Sequence, residues 1–327
     1  MKLFATPICI ELGESVVRVM DADRQIRKLP SMVRVNQRKG DPIASHVDVS
    51  LIKDGKIPDL EPMVQFLKQV VPQVTQTPLW IGRPMILASI PTNLPPIESL
   101  AYTKVLSTVA NEEPRLVARG LAAAVGLGID VESSGSSLIL LLDENNSELS
   151  LVSNGRVVQS LPIPWSAAGI NDELFALLLR DGIEGDRREL RSMLSKLRFE
   201  SGEEKITFEG RLISGGGYAT KDYHANVLTQ FLSQYTLRNL ILPLEMFSKQ
   251  LEVEHIKSMI EQGFFLCGDA SALVPDLDLF MAKKLHLPAS ILPRADEAVI
   301  TGLFEIMPHI LEARYERSQD AAHIIGL

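Results

Sequence analysis

Apolar and β-branched residues alternate from Ile8 to Val19, broken by Gly13-Glu14-Ser15, and this period of two predicts a β-hairpin. Short strands and turns continue through 31–58, including the turn Lys53-Asp54-Gly55, before helical spacing takes over from Leu60 to Val71. Met85–Ile90 is a compact apolar strand that ends at Pro91, and Ile97–Val109 and the small-residue stretch Ala118–Gly126 read as helices. The pattern then restarts. Ser137–Leu142, Glu148–Val152 and Val157–Ile163 predict a meander whose first turn is the polar Asp143–Ser147. A strand hairpin opening each half suggests an internally duplicated α/β protein.

Downstream, Asn171–Arg180 and Asp186–Leu197 have helical spacing and Lys205–Ile213 is strand-like. A Gly215-Gly216-Gly217 loop precedes a long helix expected near Tyr223–Tyr235 and another reaching Gln262. Phe264–Cys267 reads as a buried strand running into Gly268-Asp269-Ala270. A helix over Leu273–Lys284, a short strand at Ala289–Leu292 and a pair of closing helices over Glu297–Ala313 complete the pattern.

At 327 residues and 46% hydrophobic content, the chain is long enough for two or three compact units. The net charge of −8, with Lys and Arg spread along the chain, argues against nucleic acid as a partner. Cys9 and Cys267 lie far apart in apolar stretches and read as small buried residues of a reducing compartment, not as a disulfide. No apolar run reaches the roughly 18–20 residues needed to span a bilayer. Met1-Lys2-Leu3-Phe4 leads straight into a strand pattern, so a cytoplasmic protein without a signal peptide is expected.

Familiar catalytic patterns are missing. Neither a G-x-x-x-x-G-K-[ST] loop nor a G-x-G-x-x-G after a strand occurs, and Gly215–Gly217 with Lys221 reads as a surface turn. The six histidines never fall at metal-ligand spacing, so no metal site is expected. No G-x-S-x-G elbow is present. The acid pairs Glu112-Glu113 and Glu203-Glu204 read as solvated turns, and no catalytic residue stands out.

Six segments, in order and at close to the right spacing, resemble the bacterial actins of the MreB type. Ile10-Glu11-Leu12-Gly13 sits where the family has I-D-L-G-T in its first phosphate hairpin. Leu51-Ile52-Lys53-Asp54-Gly55-Lys56-Ile57-Pro58-Asp59 resembles P-L-K-D-G-V-I-A-D, and Ala122–Gly128 resembles A-A-A-I-G-A-G. Leu138–Val158 tracks the second phosphate hairpin, Phe264–Gly268 is similar to I-V-L-T-G at the adenosine loop, and Ala298–Gly302 matches A-L-G-T-G. The resemblance implies a duplicated actin-like, ribonuclease H-like α/β fold with two large subdomains, a small insertion in each, and a cleft between the halves. It assigns 1–30, 75–135 and a C-terminal helix over 307–327 to the first large subdomain and 31–74 to its insertion. Residues 136–170 and 255–306 form the second large subdomain, and 171–254 its insertion.

The departures concentrate where the family binds ATP. Each family hairpin begins with an Asp that organises metal and attacking water, followed by small residues whose N–H groups close on phosphate. Here the first Asp is Glu11, and the shortened turn Gly13-Glu14-Ser15 carries an acid expected to point toward a polyphosphate. Two like charges at 4 Å repel by about 1 kcal/mol even in bulk water. In the second hairpin D-I-G-G-G-T becomes Leu141-Leu142-Asp143-Glu144-Asn145-Asn146, and the adenosine loop's G-G-G becomes Gly268-Asp269-Ala270. Arg119-Gly120 stands in place of the Glu-Pro whose glutamate orients the hydrolytic water. Arg119 reads either as a solvated helix residue or as a direct phosphate contact.

The resemblance therefore implies a cytoskeletal filament or scaffold protein, serving cell shape or the positioning of cell structures, with weak or lost ATP hydrolysis. Its partners would be itself, head to tail, or an actin-like relative, and ATP or ADP with magnesium would bind weakly if at all. A pseudo-actin that regulates a partner without polymerising is the alternative, and a working ATPase or kinase fits less well. Leu3-Phe4 could touch the inner membrane face, although two apolar residues bury too little for stable anchoring.

Overall fold

The computed structural model describes residues 7–36, 46–133, 135–200 and 205–325, which divide into two compact units, 1–130 with 297–327 and 131–296.

In the first unit, β1 (Pro7–Leu12), β2 (Val16–Met20) and β3 (Ile26–Pro30) form an antiparallel meander. The short antiparallel pair β4 (Met32–Asn36) and β5 (His46–Ser50) follows, then α1 (Leu60–Thr75). The alternation of β6 (Met85–Ile90), α2 (Pro96–Ser107), β7 (Arg115–Ala118) and α3 (Arg119–Gly126) adds two parallel strands, giving the order β3-β2-β1-β6-β7. Strand alternation sorts the residues of this sheet. Ile8, Ile10, Leu12, Val17, Val19, Ile86 and Ala88 face a core shared with α1 and α2. Helix α1 starts at Asp59, whose carboxylate accepts the Glu61 N–H, and buries Met63, Phe66, Leu67, Val70, Val71 and Val74 at helical spacing.

The second unit repeats this plan. The meander of β8 (Ser136–Leu141), β9 (Ser147–Ser153) and β10 (Arg156–Ile163) leads into α4 (Ala167–Arg180). An inserted sheet follows, made of β11 (Ile183–Gly185), β12 (Lys205–Leu212) and β13 (Tyr218–His224), with α5 (Arg187–Met193) between its first two strands. Helices α6 (Ala225–Thr236), α7 (Leu242–Ser248) and α8 (Val253–Gln262) return the chain to β14 (Phe264–Cys267), α9 (Leu277–Leu285) and β15 (Ala289–Ile291). The sheet order is β10-β9-β8-β14-β15, the same sequence of antiparallel and parallel pairings as in the first unit. Trp165, Leu138, Leu140, Leu149, Phe264 and Leu266 anchor its core.

Three expectations need correction. The closing helix pair is a single helix, α10 (Ala298–Ile325), which carries Pro308 within it. Pro308 is exposed, so water can satisfy the carbonyl that it leaves without a donor. Residues 297–306 also belong with the first unit and not with 255–296, because α10 packs on α3 and on the second face of the first sheet. Small residues make that packing possible. A Cβ on Gly126 would lie 1.8 Å from the Ala298 carbonyl oxygen, and one on Gly302 would lie 1.7 Å from that of Ala122. The two segments read as separate family motifs are therefore the two sides of one close helix crossing. Finally, Tyr218–His224, between the Gly215–Gly217 loop and the helix expected near Tyr223–Tyr235, is a strand, and that helix begins at Ala225. The strand's side chains are mostly exposed, so main-chain pairing with β12 and the edge-on contact of Tyr223 with Phe208 hold it, and neither is visible in local spacing.

Candidate functional site

The first hairpin turn joins β1 to β2, with Leu12 opposite Val17 and Gly13 N–H donating to the Val16 carbonyl at 3.2 Å. That register sets Glu11 across from Arg18, on the sheet face covered by α3 and α10. Arg18 Nη1 lies 3.2 Å from Glu11 Oε1, and neither side chain is more than 5% exposed. Glu11 thus neutralises a neighbouring strand's guanidinium within its own sheet.

In the first hairpin turn, Glu14 Oε1 accepts the Gly55 N–H at 2.7 Å. Gly55 sits in the tight turn closed by Lys53 and Lys56, whose backbones exchange two hydrogen bonds of 2.9 Å, with Asp54 and Gly55 both at positive φ. The other side of the turn is held by Tyr102 of α2, whose hydroxyl donates to the Gly55 carbonyl at 2.9 Å. Burial raises the Tyr102 phenol well above its ordinary range; the positive charge of Arg119 opposes this, while Glu14 and Glu98 add to it. Arg119, the first residue of α3, is 7% exposed, which corrects its reading as a solvated residue. Ser15 lies beside this cluster, its carbonyl accepting the Ser31 N–H at 3.0 Å.

In the second unit, Leu141 is fully buried and pairs with Glu148 across the hairpin. The turn that follows is bound into its surroundings. Leu142 N–H donates to the Cys267 carbonyl at 2.7 Å, the Leu142 carbonyl accepts the Ala270 N–H at 2.8 Å, and Asp143 N–H donates to Ser147 Oγ at 3.2 Å. The Asp143 carboxylate accepts the Asp269 N–H at 3.2 Å. Gly268, between the two, has a φ of +95°, and a Cβ there would lie 2.5 Å from the Leu142 carbonyl oxygen. Glu144 forms an ion pair with Arg191 of α5, and its carbonyl accepts the Ala168 N–H at 2.8 Å, satisfying an orphan donor at the start of α4. Burial raises the Glu144 pKa; Arg191 lowers it and the charges of Asp269 and Asp143 raise it further. Asn146 is half-buried and Asn145 exposed.

The structure therefore gathers Glu14 and Arg119 around Tyr102 and Gly55 in one unit, and Asp143, Glu144, Gly268 and Asp269 in the other. Arg18, Tyr102, Ser147 and Arg191 escaped the sequence reading. Arg18 could not be found by counting outward from the three-residue turn, which would pair Glu11 with Val17; the register that sets Leu12 opposite Val17 moves the partner by one. Arg191 had no local signal, lying far along the chain from its partner.

The model of the family described as MreB/Mbl protein matches residues 44–314, most of the chain. The chain belongs to the MreB/Mbl family. Among its relatives, the cell shape-determining protein MreB of Pasteurella multocida (strain Pm70) is 20% identical over 247 residues, covering 73% of this chain and 70% of that protein. MreB5 of Spiroplasma citri bound to AMPPNP has the same fold, with a TM-score of 0.85 at 19% identity over 95% of this chain and 98% of that one. The subunit of the MamK double helical filament superimposes with a TM-score of 0.75 at 13% identity, over 92% and 99% of the two chains. This chain is thus an MreB-like member of the cytoskeletal actin homologues, and its duplicated α/β fold is actin-like.

Proposed function

We propose that this MreB/Mbl member is a filament or scaffold subunit, assembling head to tail, in which ATP hydrolysis is weak or lost. The supporting observation is where the acids of the two hairpins go. Glu11 is neutralised by Arg18, Glu14 holds Gly55, Asp143 accepts the Asp269 N–H and Glu144 pairs with Arg191. Phosphoryl transfer needs cations and free donors at the phosphates and a metal-organising acid. These residues fit that role poorly, since Leu141 offers no oxygen and the Asp269 amide faces a carboxylate of the same chain. Nucleotide binding, as in the AMPPNP-bound Spiroplasma relative, would here be weak and magnesium poorly held.

The test is equilibrium binding of ATP and ADP with magnesium, up to millimolar, alongside sedimentation of the same samples. Pelleting that does not depend on nucleotide, with no binding tighter than roughly 100 μM, about −5.5 kcal/mol, is the expected result. Tight binding would overturn the loss of nucleotide control. A protein that never pellets alone, but does so with an actin-like relative, would favour a regulatory pseudo-actin.

The membrane contact is also a proposal, and its supporting feature differs from the one the sequence suggested. Leu3-Phe4 lies outside the described residues, whereas Trp80 and Ile81, in the loop before β6, are 85% and 53% exposed and Arg83 follows them. An indole beside a cation suits the headgroup layer, and no helix among the described residues is long and apolar enough to cross a membrane. Flotation with anionic vesicles should fall on replacing both residues by Ser; unchanged flotation would remove this loop from the reading.

A further inference from the structure

The Gly55 peptide is gripped from both sides. Its N–H donates to Glu14 in the first hairpin turn, and its carbonyl accepts from the fully buried Tyr102 of α2. Gly55 adopts a φ of +69°, and a Cβ there would lie 3.1 Å from the Pro91 ring, so the turn favours glycine at this position. Lys56, the next residue, pairs with Glu98 of α2 at 3.6 Å. A carboxylate accepting a backbone N–H is a charge-assisted bond, stronger than a neutral one. The second unit holds a parallel arrangement, with Glu144 of its hairpin turn reaching Arg191 in its own insertion.

We propose that Glu14 is an internal anion latch, a resident carboxylate that fixes the 53–56 turn of the insertion to the first hairpin turn, so that no bound nucleotide is needed to position it. This rests on the reading that nucleotide does not govern the protein. The latch differs in kind from a loss of catalytic groups. A lost acid leaves a gap, whereas Glu14 places a new negative charge where it makes a bond.

Hydrogen exchange of the full-length protein, followed by mass spectrometry, reads the latched amide itself. In the wild type, exchange over 53–57 should be slow and unchanged by millimolar ATP with magnesium. Glu14→Ala should speed it by about tenfold or more, and Glu14→Gln by less, since the amide oxygen still accepts but without charge. Peptides from β6 and α1 should exchange as in the wild type, which shows that the variants fold. Equal exchange over 53–57 in wild type and Glu14→Ala would overturn the latch. Slowing of the wild-type 53–57 segment by ATP with magnesium would overturn it as well, because the nucleotide would then set the turn. Sedimentation of the same proteins separates the two readings, since a chain can hold its turn through Glu14 whether or not it polymerises.

Discussion

The two hairpins that open the two units share strand order and antiparallel pairing and differ in the cross-strand pair near the end of the first strand. In the first, Glu11 lies opposite Arg18; in the second, Leu141 lies opposite Glu148. The first pair is a buried ion pair and the second sets a fully buried leucine against a half-buried acid whose Oε1 accepts from Ser150 at 3.5 Å. One backbone plan therefore carries two solutions near the end of the first strand, at Glu11, one residue before the end of β1, and at Leu141, the last residue of β8. The Glu11 charge faces a counter-ion on the opposite strand, whereas the Glu148 carboxylate opposite Leu141 accepts from a hydroxyl on its own strand. The fold does not ask for either solution; the chemistry is grafted onto the register.

The largest effect should come from breaking the first pair. Arg18→Ala removes a buried guanidinium that pairs with Glu11 and should cost about 3–5 kcal/mol, whereas Glu148→Ala in the second hairpin should cost under about 1 kcal/mol. Chemical denaturation of both variants measures the contrast, and equal losses would mean that the two positions are not alternatives. Replacing Glu11 and Arg18 together by Leu should recover most of the stability, as apolar substitutes for buried ion pairs commonly do.

A middle-sized effect belongs to the loop after β14. Gly268→Ala puts a methyl 2.5 Å from a carbonyl oxygen at a φ of +95° and should lower stability by about 1–3 kcal/mol. Gly155→Ala, at the tip of the second hairpin pair with open space around its Cβ, carries only the cost of its positive φ. Thermal melts of the two should therefore be well separated, and overlapping curves would show that the loop relaxes.

The smallest effect is one of pH. Burial raises the Glu144 pKa above its ordinary value of 4.5 despite Arg191, so the folded protein holds this proton more tightly than the unfolded chain. Its contribution to stability is complete below that ordinary value and is lost as pH rises through the folded one. Glu144→Gln should then be slightly more stable than the wild type at neutral pH, with the difference vanishing below about pH 4.5. A variant less stable at neutral pH would mean that the Arg191 pair outweighs burial.

Periodicity alone determined the strands Met85–Ile90 and Phe264–Cys267, the amphipathic α1 and the two polar turns, because buried strands and one-sided helices write their burial into local spacing. The resemblance to the family's hairpins and adenosine loop, not periodicity, marked Gly13, Glu14, Asp143, Glu144 and Gly268 as residues of interest. What those acids hold was decided by the tertiary structure. Glu14 meets a residue 41 positions away and Glu144 meets Arg191 on another element, and neither distance leaves a trace in the intervening sequence. The same holds for Gly126 and Gly302, which look like helix defects until the fold presses α3 against α10. Spacing records which side of an element is buried; only the folded chain decides what lies against it.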